Sequence, residues 1–232
     1  MTDRGRVSIN SSTKMNTELI SYFGGDLMVA NVAKVSYNKQ SDEFGEKEGR
    51  LLRYLAEHKH TTPFRHPQIQ FRIECPIFVE RQLFTHQIGW ARNSISGRYV
   101  DFSDTYWTPE QFRMQSKSSK QGSADDVGPE KNLYFIEKVN EILEKSKELY
   151  KEMSDFGVAK EMCRIHLPLA LETKFIWTGS FHAFVHLCKL RLKPDAQKET
   201  RDLVNSMLRL TEDIEGKPFE SCLAAFELKA ER

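Results

Sequence analysis

A segment dense in hydrogen-bonding side chains runs from Glu80 to Tyr99. It begins with an apolar helical pattern and continues into a glycine-bearing loop that carries amide, hydroxyl, imidazole and guanidinium groups. Such a mixture requires many hydrogen-bond partners if it is even partly buried. Within it, Ser96-Gly97-Arg98 offers a hydroxyl, an unobstructed backbone N–H and a bidentate cation, which together suit a phosphate. The segment predicts a nucleotide site, and an ordinary solvated loop is the alternative.

A second polar block, from His58 to His66, contains three histidines together with Lys59 and Arg65. Metal-binding histidines on a helix are spaced three or four residues apart with a carboxylate nearby, and the two cations would repel a metal ion. We therefore expect no metal here. A loop whose hydroxyl and cationic groups face an anion fits these residues better, and a polar turn between a helix and a strand is the simpler alternative.

Further polar groups occur in the C-terminal half of the chain. Arg164 ends an apolar helical pattern, where a solvated helix-end arginine is an equally good interpretation. His182 and His186 lie one turn apart on the same face of a predicted helix, a spacing that is more often structural than functional. Arg191 follows directly after that helix.

The hydrophobic patterns predict an α/β chain with more helix than strand. Residues 68–74 alternate, with Ile69, Phe71 and Ile73 on one side, as in a half-buried strand. Residues 116–129 are polar and predict an exposed loop inside the domain. The other predicted elements are a β-rich run over 172–179, helices over 28–37, 46–58, 131–153, 158–166, 181–190 and 195–210, and two helices that Pro76 and Pro218 open.

Composition excludes several classes of function. The chain has 232 residues, 39% of them hydrophobic, which is enough for one substantial core in a single domain. Its net charge of +1 gives no electrostatic reason to expect a nucleic-acid or acidic-membrane partner. No apolar run reaches the roughly 18 residues of a membrane span, and the N-terminal residues lack a signal-peptide core. The dispersed cysteines Cys75, Cys163, Cys188 and Cys222 predict buried thiols, and we expect a cytoplasmic protein.

Taken together, these blocks resemble the flavin-dependent thymidylate synthases over most of the chain. The family's hallmark is an Arg-His-Arg triplet, a short spacer and Ser-x-Arg-Tyr, and here Thr85-His86-Gln87 precedes Ser96-Gly97-Arg98-Tyr99. The order and spacing of the blocks are specific, although each block alone is a weak signal. The other matching stretches are His60–Phe64, Pro76–Val79, Arg81-Gln82, Leu167–Leu169, Phe175-x-Trp177-Thr178, Leu190-Arg191 and Ala196-Gln197.

The chain departs from the family mainly at positions that contact the flavin. Thr85 and Gln87 replace both arginines of the triplet, and the spacer is one residue longer. The longer spacer is similar to that of a phage-like branch of the family. A phage-encoded protein would be located in the host cytoplasm. The remaining departures are Ser94 for Glu, Ser180 and His186 for Asn, His182 for Arg, and Asp195 for His. The positions that face dUMP match better than those that face the flavin.

The resemblance implies conversion of dUMP to dTMP with FAD as cofactor and NADPH and methylene-tetrahydrofolate as co-substrates. It implies a single domain over residues 1–232 with a small mixed sheet packed by helices, and a homotetramer whose active sites combine residues from different chains. Arg191 would be catalytic, because a guanidinium facing uracil stabilises negative charge on the ring. The implied dUMP site comprises Gln82, Thr85, Ser94, Ile95, Ser96, Gly97, Arg98, Arg164 and Arg191; the implied FAD site comprises Thr62, Thr85, His86, Gln87, Asn93, Ser94, Ser180, His182 and His186.

Three alternatives differ in the chemistry that they predict. A sibling enzyme would add another one-carbon group, such as hydroxymethyl, to a deoxypyrimidine monophosphate. A non-catalytic relative would bind dUMP without flavin, and a histidine-cluster metalloprotein would bind metal without flavin. The chain lacks the Pro-Cys-His-Gln nucleophile of cysteine-dependent thymidylate synthases. Ser96 has no evident general base beside it in the sequence, so we expect it to be a ligand of the nucleotide rather than a nucleophile.

Overall fold

The computed structural model of the chain describes residues 10–12, 15–100, 105–117 and 122–232. The strands are β1 (Asn10–Ser12), β2 (Asn16–Phe23), β3 (Gln68–Pro76), β4 (Trp90–Ser94), β5 (Thr105–Trp107), β6 (Arg113–Gln115), β7 (Ser123–Asp126) and β8 (Glu172–Ser180). The helices are α1 (Asp26–Lys34), α2 (Glu46–Glu57), α3 (Ile77–Leu83), α4 (Pro129–Phe156), α5 (Lys160–Cys163), α6 (Phe181–Arg191), α7 (Lys198–Glu212) and α8 (Glu220–Ala225). Short 3₁₀ turns cover Val35–Tyr37, Thr62–Arg65 and Arg164–His166. The α/β class with more helix than strand is confirmed.

The chain separates into two compact units. The first unit includes residues 74–81 and 94–174, and the second unit includes residues 16–73, 82–93 and 175–232. The organisation of residues 1–232 as one domain stays a prediction. Each unit is therefore described by itself.

A four-stranded sheet in the order β2-β3-β8-β4 carries the period-two pattern that the sequence shows. Its central strands β3 and β8 run antiparallel, since Gln70 donates to Thr178 at 2.8 Å and Lys174 pairs with Glu74 at 3.0 Å. The parallel pairing lies between β1 and β5, in a separate two-stranded sheet. Alternation of side chains is common to both kinds of pairing, so the sequence pattern could not set the direction.

The core of the second unit is built from the apolar faces of its helices and strands. Phe64, Phe181 and Phe219 are fully buried, and the rings of Phe181 and Phe219 stack with centroids 5.1 Å apart. Helix α6 begins at Phe181 because the Ser180 side chain accepts the Ala183 N–H at 3.2 Å, as an N-cap residue does. Aromatic pairs of this kind add to the burial of their apolar area. The second unit thus fixes the positions of the 3₁₀ turn Thr62–Arg65 and of α6.

The first unit is dominated by the 28-residue helix α4, which begins at Pro129. Leu143 on this helix packs with Tyr106 and Leu171 in a small buried cluster. The helix ends at Gly157, which has φ 92 and so adopts the left-handed conformation that terminates many helices. The expectation of a helix over 131–153 is confirmed, with the observed helix longer at both ends.

Three parts of the sequence-based prediction are wrong in detail. The polar stretch 116–129 was expected to be a loop, but Ser123–Asp126 forms β7, which pairs with β6. The expected helix 158–166 is reduced to α5 and a 3₁₀ turn, and Leu167, directly before Pro168, is extended. Strand β4 lies inside the segment expected to be a loop. Of the helices that the structure describes, none combines the length and the apolar character that crossing a bilayer requires.

Candidate functional site

The second unit contains a cavity of about 750 Å³ next to α6, which we call the His86 cavity. Its size falls in the range of small-molecule sites in proteins. Histidine, arginine, amide and hydroxyl groups dominate its polar lining, and none of the residues lining it is an Asp or Glu. The lining residues are Arg65, Gln68, Thr85, His86, Gln87, Ile88, Gly89, Trp90, Ser180, His182, Ala183, His186, Leu190 and Arg191.

One wall of the His86 cavity is a turn that requires glycine. Gly89 has φ +77, and a Cβ placed on it would lie 3.0 Å from both the Ala183 Cβ and the Ser180 Oγ. The Ser180 N–H donates to the Gly89 carbonyl at 3.0 Å, which ties this turn to the start of α6. Trp90 then stacks on Trp177 with ring centroids 3.9 Å apart. The wall is therefore rigid and partly aromatic.

Arg191 is held at the edge of the cavity by donated hydrogen bonds. Its Nε donates to His86 Nε2 at 2.9 Å, and its Nη2 donates to Thr85 Oγ1 at 2.9 Å and to the Gln82 carbonyl at 3.4 Å. The Nη1 atom makes no hydrogen bond within the described part of the chain. The guanidinium is thus fixed in orientation while one of its nitrogens stays available to a ligand.

His86 is neutral and its tautomer is defined by this contact. A guanidinium has no acceptor, so the Nε2 of His86 must carry a lone pair and its proton must sit on Nδ1. Burial, together with the nearby charges of Arg191 and His186, lowers the pKa of His86 to about 4. His86 is 9% exposed, in agreement with burial as the main cause. The imidazole is therefore an uncharged hydrogen-bond partner at neutral pH.

Two further histidines of α6 line the same cavity. The ring centroids of His186 and His86 are 5.8 Å apart in an edge-on arrangement. Burial lowers the pKa of His182, and the charge of Arg65 lowers it further. The two histidines that helical spacing placed on one face therefore line the same cavity.

The Gln82 side chain is hydrogen-bonded to residues at the start of α7. Its amide nitrogen donates to the side-chain oxygen of Gln197, and its amide oxygen accepts from Thr200 Oγ1 at 2.9 Å. Gln197 in turn donates to Glu199 at 3.0 Å. The two bonds of the Gln82 side chain join residues more than 100 positions apart and hold the residue whose backbone carbonyl Arg191 contacts.

In the first unit, the Ser96-Gly97-Arg98 motif, which suits a phosphate, forms a tight turn. The Ser96 Oγ accepts the Arg98 backbone N–H at 3.3 Å, and the Ser96 carbonyl accepts the Tyr99 N–H at 3.0 Å. The Arg98 side chain is exposed and lies 3.7 Å from a carboxylate oxygen of Glu161. The solvated pair contributes little to stability, so Arg98 can exchange Glu161 for another anion.

Arg164 occupies the first position of a 3₁₀ turn in the same unit. Cys163 before it is fully buried and its thiol donates to the Val158 carbonyl at 3.3 Å. His166 after it contacts the Ser146 carbonyl of α4 through Nε2 at 3.0 Å. The backbone on both sides is anchored, and the Arg164 side chain is exposed.

The structure gathers some of the expected site residues within each unit. In the second unit, Gln82, Thr85, His86 and Arg191 form one hydrogen-bonded group. In the first unit, Ile95 is attached to β8 through the Lys174 carbonyl, directly before the Ser96 turn. The His86 cavity is lined by the expected flavin residues Thr85, His86, Gln87, Ser180, His182 and His186, whereas Thr62, Asn93 and Ser94 are not among its described lining residues.

Sequence reasoning missed several participants in the site. Trp90 and Gln68 line the His86 cavity, and Thr200 supports Gln82. Their partners are distant in sequence, so no local signal marks them. Nowhere in the described part of the chain do three side chains of the metal-ligating types gather as a metal ion would require.

The residues of the His86 cavity fit a flavin nucleotide. Imidazoles and amides can hydrogen-bond a heterocycle, Trp90 offers an aromatic edge, and the absence of carboxylates from the described lining suits an anionic ligand. Arg191 lines the same cavity, and its Nη1 makes no hydrogen bond within the described part of the chain. The chemistry of the lining therefore agrees with the expected cofactor.

Comparison with known proteins identifies the family. A family model described as "Thymidylate synthase complementing protein" matches residues 18–215. The flavin-dependent thymidylate synthase of Thermus thermophilus is 34% identical over 209 residues, which cover 90% of this chain and 76% of that protein. The corresponding protein of Kosmotoga olearia is 35% identical over 192 residues, 83% of each chain.

A solved structure shares the fold. A UMP/dUMP methylase PolB from Streptomyces cacaoi, bound with 5-Br dUMP, matches with a TM-score of 0.84 and 24% identity over 94% of this chain and 97% of that chain. The family match and the relatives both extend over most of the chain. The chain therefore belongs to the thymidylate synthase complementing protein family, and its relatives are named flavin-dependent thymidylate synthases.

Proposed function

We propose that the protein is a flavin-dependent thymidylate synthase that converts dUMP to dTMP in the cytoplasm. Methylene-tetrahydrofolate would be the carbon donor, and FAD reduced by NADPH would be the hydride source. Relatives named flavin-dependent thymidylate synthase, at 34% and 35% identity over most of the chain, support this activity. The observation that carries it is the Arg191 guanidinium, oriented by neutral His86 at the edge of a cavity without carboxylates.

Arg191 would bind the uracil ring and promote its reaction at C5. Donation from a fixed guanidinium to the ring carbonyl beside N3 stabilises the negative charge that develops as the ring becomes nucleophilic. His86 and Thr85 keep the guanidinium in place, since each accepts one of its hydrogen bonds. A neutral His86 also avoids placing a second positive charge beside Arg191. The protein therefore needs no cysteine nucleophile to activate dUMP.

The phosphate of dUMP would be bound by Arg98 and Arg164, with the Ser96 hydroxyl and the Gly97 backbone beside it. Both guanidiniums are exposed on anchored turns, and paired arginines bind phosphate through several charge-assisted hydrogen bonds. In the structure the Ser96 Oγ accepts from a backbone N–H, and within the described residues no imidazole or carboxylate contacts it. This supports Ser96 as a nucleotide ligand.

The flavin would be held by the lining of the His86 cavity. Gln87, Ser180, His182 and His186 provide hydrogen-bonding groups there, and Trp90 provides an apolar contact. When bound, the flavin supplies the hydride chemistry of the reaction and takes part in the one-carbon transfer. The protein orients the nucleotide and limits access of water to the reacting ring.

A homotetramer is part of this proposal, with each active site combining residues of different subunits. Helix α4 offers a surface for such assembly, because four of its exposed apolar side chains recur every seven residues. We call this row the α4 stripe; it consists of Phe135, Ile142, Leu149 and Phe156, which are 40%, 63%, 43% and 87% exposed. Apolar residues at this spacing form the contact line between paired helices.

The activity is tested by incubating the purified protein with FAD, NADPH, methylene-tetrahydrofolate and dUMP and measuring the mass of the nucleotide product. We expect flavin-dependent formation of dTMP that is abolished in Arg191→Ala and retained in Arg50→Ala, a change at a surface arginine paired with Glu46. A product heavier by one oxygen would assign the hydroxymethylating activity instead. Tight dUMP binding without flavin and without turnover would identify a non-catalytic relative.

A further inference from the structure

The His86 cavity contains two arginines, and they differ in how they are engaged. Arg191 donates to His86, Thr85 and the Gln82 carbonyl. Arg65 makes a single 3.4 Å hydrogen bond to Thr61 Oγ1 and no ion pair within the described part of the chain. The Arg65 guanidinium is therefore less engaged than that of Arg191, and it is available to bind an anionic group.

The backbone of Arg65 is fixed although its side chain is exposed. It ends the 3₁₀ turn Thr62–Arg65, in which Pro63 and Phe64 are buried. The Phe64 ring contacts the Phe226 ring edge-on, with centroids 4.8 Å apart. The Gln68 amide donates to the Arg65 carbonyl at 3.1 Å. A rigid backbone delivers the guanidinium to the rim of the cavity and reduces the entropy lost when it binds a ligand.

The charge around Arg65 favours an anion. None of the residues lining the His86 cavity is an Asp or Glu, so no lining carboxylate competes for the guanidinium. Arg65 is also close enough to His182 for its charge to lower the pKa of that imidazole, after the larger effect of burial. His182 therefore presents a neutral ring beside the cation. A planar guanidinium next to neutral hydrogen-bonding groups suits a phosphate, which it can bind through two parallel N–H donors.

We propose that Arg65 binds a phosphate group of the flavin cofactor and makes the His86 cavity prefer flavin nucleotides over phosphate-free riboflavin. This inference rests on the proposed function, because it requires that the flavin occupies the His86 cavity. It assigns to Arg65 a role in cofactor selection that is separate from the role of Arg191 toward uracil.

The test is a titration of the purified protein with FAD, FMN and riboflavin, followed by quenching of flavin fluorescence. In Arg65→Gln we expect the affinity for FAD to fall about tenfold or more, as for loss of a charge-assisted hydrogen bond, while the affinity for riboflavin stays the same. Arg65→Lys keeps the charge and should recover part of the loss. Arg50→Gln is the matched control, because it removes an exposed arginine of the same unit outside the cavity lining.

Each alternative outcome separates the inference from the proposed function. Wild-type protein that binds riboflavin as tightly as FAD, or Arg65→Gln protein that binds FAD normally, overturns the role of Arg65 and leaves the synthase activity intact. Equal loss of all three flavins, or a changed subunit number in Arg65→Gln, shows a structural role and also overturns it. Wild-type protein that binds no flavin overturns both proposals.

Discussion

The hydrogen bond from Arg191 to His86 links the protonation state of one residue to the orientation of the other. Protonation of His86 would place an N–H opposite the Arg191 Nε–H, so the bond would be lost and two positive charges would meet. Burial lowers the pKa of His86 to about 4, and the charges of Arg191 and His186 contribute to the shift. The folded protein therefore binds this proton less readily than the unfolded chain, whose histidines titrate near pH 6.5.

The free energy of unfolding should consequently fall as the pH is lowered through the window from 6.5 to 4. In that window His86 binds a proton in the unfolded chain but not in the folded protein. The free energy of unfolding therefore rises with pH. With a pKa of about 4 for His86, the loss between pH 7 and pH 5 is about 2 kcal/mol. Urea unfolding at both pH values measures it, and His86→Gln should lose less stability than wild type by a similar amount. Equal losses in the two proteins would contradict this assignment.

The sequence predicted individual site residues better than it predicted their partners. Thr85, His86 and His186 were expected from motif resemblance, and they line one cavity. The hydrogen bonds of Gln82 with Gln197 and Thr200 cross more than 100 positions and leave no trace in local spacing. The motifs thus indicated residues that line the cavity, while the contacts that orient them depend on tertiary structure.

At the scale of elements, amphipathic helices were predicted well and short irregular elements poorly. Helix α2 (Glu46–Glu57) matches the expected 46–58, because buried Leu52 and Leu55 recur at helical spacing. Strand β4 (Trp90–Ser94) was missed because three of its five residues are exposed and it lacks a hydrophobic pattern. Its position is set by the Gly89 turn and by stacking of Trp90 on Trp177. These interactions cannot be read from the alternation of side chains.

The Gly89 turn forms one wall of the His86 cavity, and its close packing predicts a loss of stability when a side chain is added there. Gly89→Ala should destabilise the protein by about 1–2 kcal/mol or more, since it adds a methyl group 3.0 Å from Ala183 and Ser180 to the cost of a left-handed backbone. Gly157→Ala is the matched control, because Gly157 has φ +92 and no atom within 4 Å of the added Cβ. Urea unfolding of both variants should show the larger loss for Gly89→Ala. Equal losses would mean that the close contacts are relieved at no cost.

At the scale of the whole molecule, the proposed assembly of subunits rests on exposed apolar surface. Monomeric proteins rarely leave a continuous row of large apolar side chains in water. The α4 stripe is such a row, and its regular spacing along a 28-residue helix favours pairing with another helix over binding of a small ligand. The sequence predicted α4 as an amphipathic helix, but it could not show which apolar residues the chain's own fold leaves uncovered.

Ile142→Lys should therefore weaken assembly, because it places a charge in the middle of the α4 stripe, where the wild-type side chain is 63% exposed in the single chain. We expect light scattering after size exclusion to show a smaller species than the wild-type protein forms, with unchanged helical circular dichroism. Glu137→Lys is the control, since it introduces the same residue on another exposed face of α4. If active sites combine residues of different subunits, turnover of Ile142→Lys should fall together with the mass and recover at high protein concentration. A variant that stays tetrameric would place the subunit interface elsewhere, and a dissociated variant with full turnover would show that each subunit contains a complete site.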